Sequence, residues 1–215
     1  MDYSLDNLPT EILDINGNLY FDTDIISDED YEIDIEPIIY KIRFDYNSCK
    51  NIMVMYETAN LSENDKSYVM LKMFYEEEIP KDMEKAQKKA MEFLNCGEQK
   101  ENKTKSSKKI YEHLFSWFQD WKYIFSSINY THNDILLKNP KLHWYIFNDK
   151  LIDLKEDCKY YEIINNRLAH RLKKATKEQQ QARKDFPEIY ILNEFQKVND
   201  EKLKRLKEMQ NKLNS

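Results

Sequence analysis

Glycine is nearly missing from this sequence. The 215 residues include two, Gly17 and Gly97, where average usage of about 7% would place roughly fifteen. Glycine supplies the positive φ of tight turns and lets backbone approach a phosphate with no Cβ in the way. With so few, the chain has no GxGxxG dinucleotide turn, no GxxxxGK phosphate loop and no GxSxG nucleophile elbow. A β-sandwich, which needs many tight turns, is disfavoured with them. Cysteine is scarce as well. Cys49, Cys96 and Cys158 are odd in number, widely spaced and free of any CxxC or CxxH pairing. They build neither a disulfide framework nor a zinc knuckle, and the expectation is reduced thiols in a cytoplasmic protein. Long apolar runs are absent too: none approaches the roughly 18 residues that span a bilayer. The first residues are acidic where a signal peptide is basic and then apolar. The sequence therefore predicts a soluble, intracellular protein with no membrane partner.

What is present suits amphipathic helices. Apolar residues make up 41%, aromatics 13% and charged residues 33%, with a mean hydropathy of −0.83. The charge is unevenly placed. Residues 1–40 hold twelve Asp/Glu and no Lys/Arg, whereas the remainder carries a net +6 within an overall −6. Such an acidic arm either stays a solvated segment, folds back on the basic body, or binds a basic partner. The one concentrated basic run, Lys100 to Lys109, lacks interleaved aromatics, so nucleic acid is not an expected partner.

Along the chain, Ile12–Ile15 and Leu19–Phe21 flank Asn16-Gly17, a dipeptide suited to a two-residue hairpin turn. Pro37 can open a helix over about 37–47. Ser62 precedes a short helix that Ile79-Pro80 ends. From Pro80 a helix presents Met83, Ala86, Ala90, Phe93 and Leu94 on one face, and Gly97 stops it in a left-handed cap. Residues 98–109 contain no apolar side chain and read as a flexible linker. Beyond it, Ile110, Leu114, Trp117, Phe118, Trp121, Ile124, Phe125 and Ile128 mark one broad helical face. Asn139-Pro140 opens a helix apolar on two sides, expected in the middle of a bundle. One or two helices follow over 158–172, then a polar one over 176–184. From Pro187 a long final helix carries a stripe through Leu203, Leu206, Met209 and Leu213. The predicted fold is mainly α. It has a small N-terminal β-hairpin with short helices (1–97), the charged linker (98–109) and a C-terminal helical bundle (110–215).

No catalytic pattern emerges. The four histidines, His113, His132, His143 and His170, form no HExxH or HxH, so no local metal site is expected. His143, beside Trp144 in an apolar helix, reads as a packing histidine. Acidic clusters such as Glu76-Glu77-Glu78 read as solvated faces. The expectation is no enzyme, no cofactor and no metal.

Several segments in a fixed order carry a resemblance. They are Lys72-Met73-Phe74-Tyr75, Ile79-Pro80-Lys81-Asp82-Met83 and Phe93-Leu94-Asn95-Cys96-Gly97, then a Lys-rich linker, Ile110-Tyr111, Tyr123-Ile124-Phe125 and Leu142-His143-Trp144-Tyr145-Ile146-Phe147. The chain resembles the bacteriophage gene-product-fifteen family of long-tailed phages and prophages, encoded between the major tail protein and the tape measure. The likeness spans roughly residues 8–172. It departs at 145–150 and at Asn166-Arg167, where the family has a tyrosine-arginine pair. The residues that carry the family motif are Phe93, Cys96, Gly97, His143, Trp144, Phe147 and Arg167. What the resemblance implies is a tail assembly chaperone that binds the tape measure protein in the host bacterial cytoplasm. A structural tail component or helical adaptor retained in the virion is the alternative, and an enzyme or nucleic-acid-binding regulator a more distant one. Implied partners are the tape measure or other tail proteins, with self-association possible in principle. The stripe Leu203, Leu206, Met209, Leu213 is the expected partner surface, and the helix at 142–154 the expected core.

Overall fold

The computed structural model describes residues 8–15, 17–23, 36–58, 60–97 and 114–193. Among them are nine helices and one three-stranded antiparallel sheet, so the protein is mainly α. The chain forms two compact units, one of residues 1–101 with 132–153 and one of residues 102–131 with 154–215.

The first unit begins with the hairpin. Strand β1 (Glu11–Ile15) pairs with β2 (Asn18–Phe21), and the Ile15–Asn18 pair leaves a two-residue loop. Gly17 sits there at φ +80°, and its N–H donates to Asp14 Oδ1 at 2.8 Å. The Asn-Gly signal is thus borne out at Gly17; Asn16 lies outside the described residues.

A third strand corrects the helix expected over 37–47. Residues Ile38–Lys41 form β3, antiparallel to β1 on the side away from β2, and the helix waits until Tyr46. Pro37 fits the approach to an edge strand as well as a helix start. Ile38-Ile39-Tyr40 is β-branched and aromatic, and the hairpin offers it an unpaired ladder.

Three helices complete the contiguous part: α1 (Tyr46–Thr58), α2 (Glu63–Phe74) and α3 (Met83–Leu94). Ser62 caps α2 by accepting from Asp65 N–H. Asp82, rather than Pro80, caps α3 by accepting from Lys85 N–H. At the far end of α3 the left-handed turn is shared. Cys96 takes φ +56° and Gly97 φ +72°, with Cys96 N–H to Phe93 O at 2.8 Å and Gly97 N–H to Glu92 O at 2.9 Å. This is a Schellman cap whose C′ residue is cysteine, with glycine one place later.

Residues 132–153 return to this unit. They carry α4's successors α5 (Ile135–Lys138) and α6 (Trp144–Ile152), where α4 is the helix Trp117–Thr131 of the second unit. Residues 142–144 run antiparallel to 44–46, with Trp144 N–H to Phe44 O at 2.8 Å and Tyr46 N–H to Leu142 O at 2.9 Å. The division drawn from the sequence at the linker differs here, since 132–153 pack with residues 1–101. The linker 98–109 lies outside the described residues. Helix α6 is core on one face through Trp144, Tyr145 and Phe147. Ile152, expected on a second buried stripe, is 85% exposed.

The second unit comprises α4, α7 (Lys159–Arg171), α8 (Lys177–Asp185) and α9 (Pro187–Tyr190). Trp117, Ile124 and Ile128 give α4 its buried face, and α7 answers with Tyr160 and Ile163. Thr176 and Gln179 form a capping box at the start of α8, which buries no side chain. The helix from Pro187 stops after one turn, so the long terminal helix does not start there; residues 194–215, which would carry most of it, lie outside the described residues. The last carbonyls of α9 are taken by side chains. Arg167 Nη2 donates to Ile189 O at 2.6 Å and Arg183 Nη1 to Tyr190 O at 2.9 Å. Gln119 Nε2 reaches Glu188 O and Ile191 O at 2.9 and 2.8 Å, while its Oε1 accepts from Asn193 N–H at 2.9 Å. The carbonyls that a further turn would need are thereby occupied.

Candidate functional site

Most of the motif residues converge in the first unit, and they form its core. Phe93, fully buried at the end of α3, meets Phe21, Phe74, His143 and Tyr145 with ring centroids 5.0–6.1 Å away. Trp144 stacks on Phe147 at 5.3 Å, and Phe147 stacks on Tyr46 at 5.4 Å. Trp144 Nε1–H donates to Leu94 O at 3.0 Å, tying α6 to the end of α3. Offset and edge-on ring pairs add to the burial of apolar area, so this cluster orders the unit.

His143 is the polar centre of the cluster. Its Nδ1 accepts from Tyr145 N–H at 3.1 Å, which caps α6, and its Nε2 lies 2.9 Å from Pro9 O. With Nδ1 accepting, Nε2 carries the hydrogen and donates to the carbonyl. Phe44 stacks on the ring at 5.4 Å. Burial pushes the His143 pKa below its ordinary value, while the Pro9 carbonyl and Asp22 act in the opposite direction. Both ring nitrogens are therefore committed to backbone, and the imidazole has no atom left with which to move a proton. The packing role expected for His143 is its geometry here.

Arg167 organises the second unit. Its guanidinium forms a two-pronged pair with Asp120, Nη1 to Oδ2 at 2.6 Å and Nη2 to Oδ1 at 2.9 Å. Nη1 also donates to Leu114 O at 3.0 Å. Asp120 Oδ2 accepts from Ser116 N–H at 2.9 Å, and Ser116 Oγ accepts from Gln119 N–H at 3.1 Å, so the same carboxylate helps to close the start of α4. Asp120 is 0% exposed and Arg167 5%. This pair joins α4, α7, the end of α9 and residue 114 through a single side chain.

Sequence reasoning missed Asp120, although a signal exists. In α4 it falls between Trp117 and Ile124 on the apolar stripe, where an ionised side chain needs a partner. Arg43 was also missed. Its fork donates to the carbonyls of Met73 and Tyr75 at 3.0 and 2.6 Å and of Glu76 at 3.1 Å, where α2 ends. Nothing local to residue 43 in sequence marks that contact.

Two of the three thiols are buried. Cys49 is buried with its pKa pushed up by burial, and Cys158 is buried at the start of α7. Among the described residues, no group of three or more His, Cys, Asp and Glu could hold a metal ion. No helix there is long and apolar enough to cross a membrane. Leu203, Leu206, Met209 and Leu213 lie outside the described residues.

The first unit has a cleft of about 480 Å³ between the starts of α2 and α3, lined by Glu63, Tyr68, Met83 and Glu84. The second has a cleft of about 540 Å³ beside the α7–α8 turn, lined by His170, Lys173, Arg183 and Lys184. Apolar side chains stand out on helices, Leu137 and Ile152 in one unit and Phe118 and Tyr130 in the other. Among known families, the one described as Bacteriophage Gp15 protein matches residues 26–192. No curated protein and no solved structure matches the chain.

Proposed function

The chain belongs to the bacteriophage Gp15 protein family, and from that premise we propose that this phage protein serves tail morphogenesis as an assembly chaperone for the tape measure protein. The family match over residues 26–192 carries the reading. A tape measure is a very long helical chain with apolar patches, and uncovered it would aggregate. A protein that covers it needs exposed, helix-borne apolar side chains and modest contacts repeated many times. Ile152 at 85% exposed, Leu137 at 64% and Phe118 at 62% supply groups of that kind. The His143 imidazole, held by two backbone groups, and the buried thiols of Cys49 and Cys158 also suit a binding protein better than an enzyme. On this reading the partner is met in the host bacterial cytoplasm, before the tail tube forms.

Co-expression with the neighbouring tape measure gene tests the proposal. The expected result is co-purification and a soluble tape measure. A tape measure that stays insoluble, with nothing co-purifying, sinks it. Mass spectrometry of purified virions then separates a chaperone, absent from mature tails, from an adaptor that stays in the particle.

A further inference from the structure

Positive charge gathers where α7 turns into α8. Residues 167–184 hold seven Lys/Arg side chains and a single carboxylate, Glu178. Arg167 turns inward to Asp120. Lys173, Arg183 and Lys184 instead line the cleft of about 540 Å³, together with His170, Ala175 and Ile191. Lys173 is held there by the cap of α7. It takes φ +58°, with Lys173 N–H to His170 O at 3.1 Å and Lys174 N–H to Ala169 O at 2.8 Å.

Among the described residues, no carboxylate lines this cleft. The Arg183 guanidinium donates to a neutral carbonyl, Tyr190 O, at 2.9 Å. Burial and then the charge of Arg167 push its pKa down; burial and then the charge of Arg183 do the same to His170. Cations are thus crowded against one another in a partly apolar hollow, a setting that an incoming anion relieves.

The same chain holds the complementary chemistry. Residues 24–36 contain seven Asp/Glu and no Lys/Arg, interspersed with Ile25, Ile26, Tyr31, Ile33 and Ile35. We propose that the cleft formed by Lys173, Arg183 and Lys184 is a docking site for the acidic 24–36 segment of a second copy of this chain. The carboxylates pair with the three cations, Arg183 being able to engage one in two-pronged fashion. The isoleucines lie against Ala175, Ile191 and the lysine stems. Each copy carries one acidic segment and one basic cleft, so the contact is head-to-tail and repeats from copy to copy. The inference stands apart from the tape measure reading and requires only this chain.

Complementary charge reversals test it. One variant, K173E/K184E, keeps the acidic segment and loses the cleft; the other, D28K/D30K, keeps the cleft and loses the segment. Circular dichroism and thermal melting establish that each folds like wild type. At low salt, sedimentation of wild type is expected to show mass rising with concentration. Each variant alone is expected to stay at the chain mass of 26.2 kDa. An equimolar mixture should form a one-to-one dimer and stop there, because only one competent contact remains. Raising the salt to about 1 M, where the Debye length is about 3 Å, should dissociate it. In the mixture the His170 imidazole should titrate at higher pH than in D28K/D30K alone. A mixture that remains monomeric overturns the proposal, as does a dimer that leaves His170 unchanged. Wild type that is monomeric at every concentration, with a monomeric mixture, places the segment elsewhere and overturns it equally.

Discussion

Arg167 and Asp120 are worth most to each other. Either charge alone in the interior is far more costly than the pair, because desolvation is then uncompensated. Asp120→Ala should therefore destabilise the second unit by about 3–5 kcal/mol, read as a lower urea midpoint. Asp120→Leu combined with Arg167→Met should recover most of that loss, since it removes both charges and keeps the volume. A double variant as unstable as Asp120→Ala would mean that the carbonyls of Leu114 and Ile189, left without their donor, matter more than the ion pair. His143 makes a different prediction. Its folded-state pKa is lowered by burial from the ordinary value of 6.5. The folded protein thus takes up the proton less readily than the unfolded chain. The stabilisation from this ring is complete above 6.5 and drains as pH falls through the lower, folded-state value. Urea unfolding of wild type and His143→Asn should show a gap that is widest near pH 7.5 and narrows towards pH 4.5. A constant gap would contradict the neutral ring deduced from its two hydrogen bonds. Residues of this kind are only half legible in sequence. The order of motifs picks out His143, Trp144 and Phe147, which pack together. It gives no hint that Phe44 and Pro9, about a hundred residues or more away, complete their surroundings.

Elements with local signals are legible and those decided by distant partners are not. Asn-Gly announces the hairpin, and Ser62 and Thr176 announce their helices, because a turn or a cap depends on residues within three or four positions. The strand β3 has only Pro37 before it, a residue equally at home before a strand or a helix, and the free edge of β1 decides the matter. The short α9 is decided the same way, by Arg167, Arg183 and Gln119 reaching in from other helices. Arg43 shows how much such a reach is worth. It meets four carbonyls at the end of α2, those of Lys72, Met73, Tyr75 and Glu76, where the helix dipole also favours a cation. Arg43→Ala should cost about 1.5–3 kcal/mol, the scale of hydrogen bonds to a charged group, measured by thermal or urea unfolding. Arg43→Lys keeps the charge but loses the fork, so it should regain less than half of the loss. Full recovery by lysine would show that charge, not geometry, closes the helix.

At the scale of the whole molecule, the chain passes between its two units at 101–102, 131–132 and 153–154. A break at the linker therefore does not divide the protein into its units, whatever the charge pattern of 98–109 suggests. The stretch 132–153 supplies Leu136, Leu142, Trp144, Tyr145 and Phe147 to the core built on α1, α2 and α3. Without it, Phe93 and Tyr46 lose ring partners, Leu94 O loses its indole donor and residues 44–46 lose their backbone partner. Truncating two or three large aromatics in a core costs several kcal/mol each, comparable with the whole stability of a typical domain. Fragment 1–97 expressed alone should accordingly fail to fold cooperatively. Fragment 110–215 alone should aggregate through the exposed Trp144 and Phe147 helix. Placing a specific protease site between residues 103 and 106 of the full chain gives the complementary result. After complete cleavage the two pieces should co-elute at the mass of the intact protein and separate only in denaturant, because 132–153 still docks in the first unit. Pieces that part in native buffer, or a fragment 1–97 that melts cooperatively by itself, would return the boundary to the linker.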